Sequence, residues 1–176
     1  MLKSMTSPAI DGQFDVFFNG NVLPQESLLQ LRAIGLSLPQ ASRCWYDPVS
    51  GWWGFEGEAA TGQLPPGLAL GGPLQADASG GGTGAFVNGR ELHPAEVRQL
   101  TMLFGAVPRI RFWMNAHGIG GPEGGPATFS LQAAAQARQR AHGGTLRRGT
   151  FGTTGGDGGS FCYVDPASGA SVMLGD

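Results

Sequence analysis

Lysine, cysteine and long apolar runs are all scarce in this chain of 176 residues. Lys3 is the only lysine and the net charge is −2, a balance that argues against a nucleic-acid or anionic-membrane binder. No apolar run approaches the roughly 18 residues that a membrane helix needs, and the first residues lack the pattern of a secretory signal peptide. We therefore expect a protein without a membrane segment that is cytoplasmic, or exported by a leaderless route.

The motifs that hold metals, cofactors and phosphates are missing as well. His93, His117 and His142 are the only histidines, and neither HExxH nor CxxC occurs, so the sequence predicts no metal and no cofactor. Two glycine-rich stretches, DASGGGTG (77–84) and TTGGDGGS (153–160), lack the Gly-Lys-Ser/Thr ending of a phosphate-binding loop. These stretches are typical of flexible loops.

Two cysteines, Cys44 and Cys162, are too few for a disulfide scaffold. In the repeats described below, Cys44 and Cys162 fall where Phe112 falls, which indicates a buried apolar position. Free core thiols are the favoured interpretation, and a Cys44–Cys162 disulfide is the sharper alternative.

Glycine and apolar residues are what the chain has in quantity. Glycine accounts for 31 of the 176 residues, well above the usual level of about 7%, yet without a Gly-X-Y period. The glycines are therefore expected in turns, bulges and loops. Because 41% of the residues are apolar, a packed core is expected.

One sequence segment occurs twice along the chain, and part of it occurs a third time. FFNGNVLPQESLLQLRAIGLSLP (17–39) aligns without a gap to FVNGRELHPAEVRQLTMLFGAVP (86–108), and RCWYDPVSGWWGFEG (43–57) aligns to RFWMNAHGIGGPEG (111–124). FCYVDPASGASVM (161–173) repeats the second segment in part. We expect a single domain over 1–176, with unit one at 13–57, an ordered connector at 58–84, unit two at 85–125, and a helix, a mobile loop and a third hairpin at 126–176.

Local signals give each unit the same elements. Asn19-Gly20 and Asn88-Gly89 predict tight hairpin turns, because both residues tolerate positive φ. Apolar spacing, with proline at the start and glycine at the end, predicts helices over 24–35 and 94–104. A third helix should follow Ser130. The expected fold is α+β, with tandem pseudosymmetric hairpin-helix-hairpin units, a partial third copy and short antiparallel strands.

The stretch RCWYDPVSGWWG supplies the main candidates for ligand binding. Strand alternation suggests Trp45 and Trp53 on one face of the hairpin and Tyr46 and Trp52 on the other. Trp45 matches Trp113 in the second unit, as a buried core position would, whereas Trp52 has no aromatic counterpart. We therefore expect Trp52, with Tyr46 and Trp53, to contact a ligand and Trp52 and Tyr46 to be exposed; the alternative is that connector leucines cover them.

Charged residues offer two further hypotheses. Glu56 and Glu123 occupy matching positions and would be the catalytic pair if the chain were a carboxylate-dependent hydrolase, although each also suits a turn. An anion-binding patch, or simply a solvated helix end, is suggested by four arginines: Arg138, Arg140, Arg147 and Arg148.

The combination of FxNGxxL, a helix, RxW, an Asp/Asn-x-x-Gly hairpin and Glu-Gly resembles segments of uncharacterised glycine-rich bacterial proteins, which implies no activity. WYDPVSGWWG has a weaker resemblance to GYF-type adaptor domains, which pair an aromatic hairpin with a helix and bind proline-rich peptides. The sequence therefore favours a non-enzymatic binding or assembly module that presents aromatic hairpins to a protein, peptide or glycan partner.

Overall fold

The computed structural model describes residues 15–141 and two later strands, 161–164 and 171–174. The first sheet has the strand order β2-β1-β3-β4-β5. Its elements in chain order are β1 (Phe17–Phe18), β2 (Asn21–Val22), α1 (Gln25–Ala33), β3 (Arg43–Tyr46), β4 (Trp52–Phe55) and β5 (Ala60–Gln63).

The second sheet has the strand order β10-β9-β8-β6-β7. Its elements in chain order are β6 (Phe86–Val87), β7 (Arg90–Glu91), α2 (Pro94–Phe104), β8 (Arg111–Met114), β9 (Ile119–Pro122) and β10 (Phe129–Ser130). The helix α3 (Leu131–Ala141) follows and contacts α2. An antiparallel pair, β11 (Phe161–Val164) and β12 (Ser171–Leu174), forms a small third sheet. The predicted α+β class is confirmed.

The prediction of antiparallel strands alone is wrong, because both five-stranded sheets are mixed. β1 pairs parallel to β3, and β6 pairs parallel to β8. In each case the intervening hairpin strand and helix return the chain to the same end of the sheet, and such a crossover brings the next strand in parallel. The other strand pairs in these two sheets are antiparallel.

The two Asn-Gly turns form as predicted and also fasten the sheets. Asn19 and Asn88 have φ angles of 47° and 51°, and a glycine with positive φ follows each. The side chain of Asn19 accepts a hydrogen bond from Tyr46 N and donates to Tyr46 O, both at 2.9 Å. The side chain of Asn88 bonds Met114 N and O in the same way, at 2.9 and 2.8 Å. Each asparagine therefore ties its hairpin to the end of the neighbouring parallel strand.

The helices begin and end close to the predicted bounds. α2 starts at Pro94 behind His93, whose Nδ1 accepts a hydrogen bond from Ala95 N at 3.1 Å. Glu96 completes a capping box by accepting from His93 N at 2.7 Å. Gly105 ends the helix with a φ angle of 82°. The predicted helix after Ser130 is also present, and Ser130 Oγ accepts from Ala133 N at 3.3 Å.

Two apolar clusters pack the described residues. The first core contains Phe18, Leu31, Tyr46 and Trp53, together with connector residues such as Leu64. The second core contains residues of the second sheet together with Trp45 and Trp52 from the first. The side chains of Trp45 and Trp52 project from the first sheet towards the second sheet. The two sheets therefore share a core.

Polar contacts reinforce this junction, which we call the inter-sheet joint. Asn88 Nδ2 donates to Asp47 Oδ2 at 2.6 Å. Gln63 Nε2, on β5, donates to Ala116 O at 2.7 Å in the turn between β8 and β9. The inter-sheet joint also contains the 3.2 Å hydrogen bond from Ala60 N to Glu96 Oε1.

Candidate functional site

The aromatic hairpin β3–β4 is buried on both faces. Pairing places Tyr46 opposite Trp53, and Trp45 opposite Gly54. Since directly opposite residues share a face, Tyr46 and Trp53 point together into the first core, and Trp45 and Trp52 point into the second. The predicted grouping of faces is therefore wrong, because the turn between the strands sets this register.

The expected exposure of this hairpin is wrong as well. Trp52 is 3% exposed and Tyr46 is 1% exposed. Connector residues hold the Tyr46 ring in place: its hydroxyl donates to Pro65 O at 2.6 Å and accepts from Leu68 N at 3.1 Å. Tyr46 and Trp53 are thus part of the first core, whereas Trp52 also lines a cavity.

This cavity has a volume of about 250 Å³ and lies between the second sheet, α2, β10 and the β3–β4 turn. A buried water occupies roughly 30 Å³, so the space is much larger than an ordinary packing defect. Its walls are mainly apolar, and six of the residues that form them are Trp52, Val87, Leu100, Phe112, Met114 and Phe129. Phe104, which is 39% exposed, also lines it.

Two side chains that line this cavity are smaller than those at the same strand ends of the first sheet. Phe18 ends β1, and Val87 ends β6 at the same place in the strand order. Tyr46 ends β3, and Met114 ends β8. In both pairs the first sheet has a large ring where the second has a smaller side chain, whereas Phe112 on β8 is larger than Cys44 at the same position of β3.

A third difference between the two sheets is partly offset by a neighbouring side chain. Trp53 pairs with Tyr46 in the first sheet, whereas Gly120 pairs with Met114 in the second. Phe129 on the neighbouring strand covers Gly120 so closely that a Cβ there would lie 2.5 Å from its Cζ atom. The Phe129 ring therefore fills part of the space beside Gly120, and the cavity lies next to it.

A buried ion pair lies at one end of the cavity. Arg90 Nη1 and Nη2 donate to the two carboxylate oxygens of Glu96 at 2.8 and 2.9 Å. The guanidinium of Arg90 also lies 3.9 Å from the centroid of the Trp45 ring, a cation–π geometry. Because the pair is bidentate and both partners are almost fully buried, the two charges neutralise each other within the site.

Asp47 lines the same cavity and is 3% exposed. Its Oδ1 accepts from Val49 N at 2.9 Å, while its Oδ2 accepts from the Ser50 hydroxyl and from Asn88 Nδ2. All of these donors are neutral. Within residues 15–141, no arginine or histidine forms an ion pair with this carboxylate.

The candidate catalytic pair, Glu56 and Glu123, is divided between the two sheets. Glu56 accepts from Arg43 Nε at 2.7 Å, and Glu123 accepts from Arg111 Nε at 2.6 Å. Each arginine lies over a phenylalanine ring of its own sheet. Both carboxylates therefore tie adjacent strands together on the surface, and neither lines the cavity.

The first glycine-rich stretch folds around a carboxylate of the chain itself. Gly84 N donates to Glu91 Oε1 at 2.6 Å. Hydrogen bonds from the backbone of Gly84, Gly82 and Thr83 lower the pKa of Glu91. Ser79 is fully buried and donates to Glu91 O at 2.6 Å. The glycines of this stretch therefore form an anion-binding turn that Glu91 already occupies.

The remaining sequence candidates lie apart from the cavity. His93 caps α2 and His117 is exposed. Arg138 and Arg140 lie in the last turn of α3, where a cation suits the helix dipole. His142, Arg147, Arg148 and the second glycine-rich stretch lie outside the described residues. The described residues contain no cluster of potential ligands that could hold a metal ion.

Cys44 is a free thiol in the first core. The favoured interpretation of a free core thiol is confirmed for this residue, and the side chain of Cys162 lies outside the described residues. Burial, followed by the nearby charge of Glu56, raises the pKa of Cys44 from 9.0 to about 12. The thiol is therefore protonated at neutral pH and is a poor nucleophile.

Asp47, Val87 and Met114 were not recognised as site residues from the sequence. Asp47 stands in the sequence Asp-Pro-Val-Ser-Gly, which is typical of a turn. The signal for the other two was present in the alignment of the two units, where Phe18 faces Val87 and smaller residues accumulate in the second copy.

Among curated proteins, the chain is similar to two from Arabidopsis thaliana. It is 37% identical to extra-large guanine nucleotide-binding protein 1 over 113 residues, which is 62% of this chain and 13% of that protein. It is 36% identical to extra-large guanine nucleotide-binding protein 2 over 84 residues, 46% of this chain and 9% of that protein. The chain thus spans only a small part of either relative. No family model and no solved structure matches.

These matches correct the resemblance to glycine-rich bacterial proteins, which is wrong. The relatives are plant proteins, and the similarity points to a plant origin. No family model supports the likeness to GYF-type domains. The described residues contain no helix that is long and apolar enough to cross a membrane.

Proposed function

We propose that the chain is a non-enzymatic binding module that receives an apolar part of a protein partner in the cavity beside Trp52. The cavity of about 250 Å³ carries this proposal. Protein interiors seldom leave voids larger than a water molecule, and an open apolar pocket with a few polar groups is the usual form of a binding site. Trp52 would supply one wall of that site.

A duplicated origin of the two sheets supports the same view. We infer that they arose from one hairpin-helix-hairpin unit, because their strand orders match and Asn19 and Asn88 make the same contacts. In the first copy the core is filled by Phe18 and Tyr46. The second copy is then a scaffold whose core has been opened, which is a simple route to a binding pocket.

A protein partner fits the walls better than a glycan. Sugar hydroxyls need several hydrogen-bonding groups, whereas most lining side chains are aliphatic or phenyl groups. Arg90 and Glu96 bond each other. The relatives are long proteins of which this chain spans a small part, as expected for a module that works beside other protein parts. The hydrolase alternative has no support of this kind, because Glu56 and Glu123 are paired separately.

Filling the cavity tests the proposal. Peptides selected against the wild-type chain from a random display library should bind Val87→Phe at least about tenfold more weakly, a loss of about 1.4 kcal/mol. The melting temperature should stay the same or rise, because the new ring occupies empty space. Val22→Phe is the matched control, since Val22 is exposed on β2. Peptides that bind both variants as well as the wild type, or a selection that yields no binders, would contradict the proposal.

A further inference from the structure

The described residues that line the cavity carry more negative than positive charges. Arg90 and Glu96 form a bidentate pair at 2.8 and 2.9 Å and cancel each other. Asp47 is the third charged side chain among the described residues of the lining, and no cation within residues 15–141 pairs with it. The described part of this mainly apolar lining therefore carries one carboxylate without an ion-pair partner.

The carboxylate of Asp47 also has acceptor capacity to spare. An ionised carboxylate offers about four lone-pair sites. Three are used, by Val49 N, the Ser50 hydroxyl and Asn88 Nδ2. These contacts fix the carboxylate at the end of the β3–β4 turn, where it is 3% exposed. The carboxylate of this lining residue is thus held by neutral donors and has no counter-ion within residues 15–141.

We propose that Asp47 makes this cavity selective for a basic side chain, a lysine or an arginine, of the protein partner; this inference rests on the function proposed above. Basic side chains carry three or four methylene groups that pack along apolar walls while the cationic head reaches a polar group. Here the stem would lie against Met114 and Val87, and the head would bond Asp47.

Ion pairing and packing both favour a basic side chain in the cavity over a neutral or an acidic one. A buried charge is costly unless it is paired and hydrogen-bonded, so a cation relieves a cost that a neutral group leaves in place. Hydrogen bonds between ionised partners are also stronger than neutral ones. An anionic group would be repelled by Asp47. The Trp52 ring lines the same space and offers a further surface of the kind that attracts cations.

Three probes of equal reach test the inference on the full chain: n-pentylammonium, 1-pentanol and pentanoate. Binding is followed by NMR shifts of the amides around Met114. The ammonium should bind at least about tenfold more tightly than the alcohol, and pentanoate most weakly. Asp47→Asn should remove the preference for the cation, because the amide keeps the shape but not the charge. Asp77→Asn, which removes an exposed carboxylate, should leave the preference intact.

The outcomes separate this inference from the proposed function. If 1-pentanol binds the wild type as well as the ammonium does, Asp47 does not select and the inference is wrong, whereas the cavity remains a binding site. This comparison needs only the wild type, so it holds even if Asp47→Asn fails to fold. If Val87→Phe binds all three probes as tightly as the wild type, the cavity is not the site and both proposals fail.

Discussion

The Trp45 side chain belongs to the first sheet and packs against residues of the second sheet. It is fully buried in the second core, and its Nε1 donates to Glu58 O at 3.2 Å. Trp113 makes the corresponding bond to Gly125 O at 2.9 Å but is only half-buried. The two tryptophans occupy matching strand positions in unlike surroundings. Trp45 packs in the second core and not in the core of its own sheet.

Trp45→Ala should therefore cost more stability than Trp113→Ala. Deleting a fully buried tryptophan typically lowers the free energy of unfolding by about 3–5 kcal/mol, and here it also removes the surface on which Arg90 lies. Urea unfolding of both variants measures the difference. Equal losses would show that the two rings contribute alike and that the contact between Trp45 and the second sheet adds little.

Cys44 gives a pH-dependent prediction. In the unfolded chain the thiol ionises near pH 9.0, whereas burial and the charge of Glu56 keep it protonated in the folded chain up to about pH 12. The free energy of unfolding should therefore be unaffected by this group below pH 9 and should fall as the pH rises from 9 towards 12.

The thiol should also be shielded from reagents. In a Cys162→Ala background, a thiol-specific reagent at pH 8 should modify Cys44 only as fast as the protein unfolds, because the folded state presents a buried and protonated sulfur. Rapid modification without any loss of folded signal would show that Cys44 is accessible in the native state.

At the scale of elements, the hydrogen bonds of Glu96 connect a helix to two strands. This carboxylate caps α2 through His93 N, accepts from Ala60 N on β5 and pairs with Arg90 on β7. Removing its charge leaves Arg90 buried without a counter-ion. We expect Glu96→Gln to lower the free energy of unfolding by about 3–5 kcal/mol, the range found when one partner of a buried ion pair is lost.

A double variant is the control for this prediction. Arg90→Met with Glu96→Gln removes the unpaired charge while the glutamine retains an acceptor for the backbone amides, so it should lose less stability than Glu96→Gln alone. Thermal unfolding of the three proteins makes the comparison. If the double variant is the least stable of them, the cation–π contact of Arg90 with Trp45 outweighs the cost of its unpaired charge.

The elements were predictable where local chemistry decides them. Asn-Gly turns, the proline at the start of α2 and the glycine at its end act through backbone preferences that neighbouring residues do not override. The face of Trp52 was not predictable, because a turn of uncertain register separates it from Tyr46, and one residue of slip exchanges the faces. The cavity depends on contacts such as Phe129 with Gly120, which join residues on different strands.

At the scale of the whole molecule, the inter-sheet joint and the shared core predict that both sheets unfold together. Gln63→Ala removes the hydrogen bonds to Ser50 O and Ala116 O, at 2.8 and 2.7 Å, and should cost about 1–3 kcal/mol because two carbonyls lose their donors. Tryptophan fluorescence and far-UV circular dichroism should still give one coincident transition.

Gln75→Ala is the matched control for this experiment. Its side chain is exposed, and within residues 15–141 it bonds only Pro73 O, at 3.1 Å. The stability of this variant should therefore equal that of the wild type within about 0.5 kcal/mol. Two separate transitions in Gln63→Ala would show that the sheets are independent folding units that the joint merely holds together.

Asn-Gly sequences are also prone to deamidation. The backbone nitrogen of the glycine attacks the side-chain carbonyl carbon of the asparagine and expels ammonia. In the folded chain both polar atoms of Asn88 are held, one by Met114 N and the other by Asp47 and Met114 O. An isoaspartate at this position would turn a donor towards Asp47 into a second carboxylate, and two like charges at that distance repel. The folded chain thus protects Asn88 at the inter-sheet joint from deamidation. A chain that deamidates there while it is unfolded would lose the hydrogen bond between Asn88 and Asp47 that helps to hold the two sheets together.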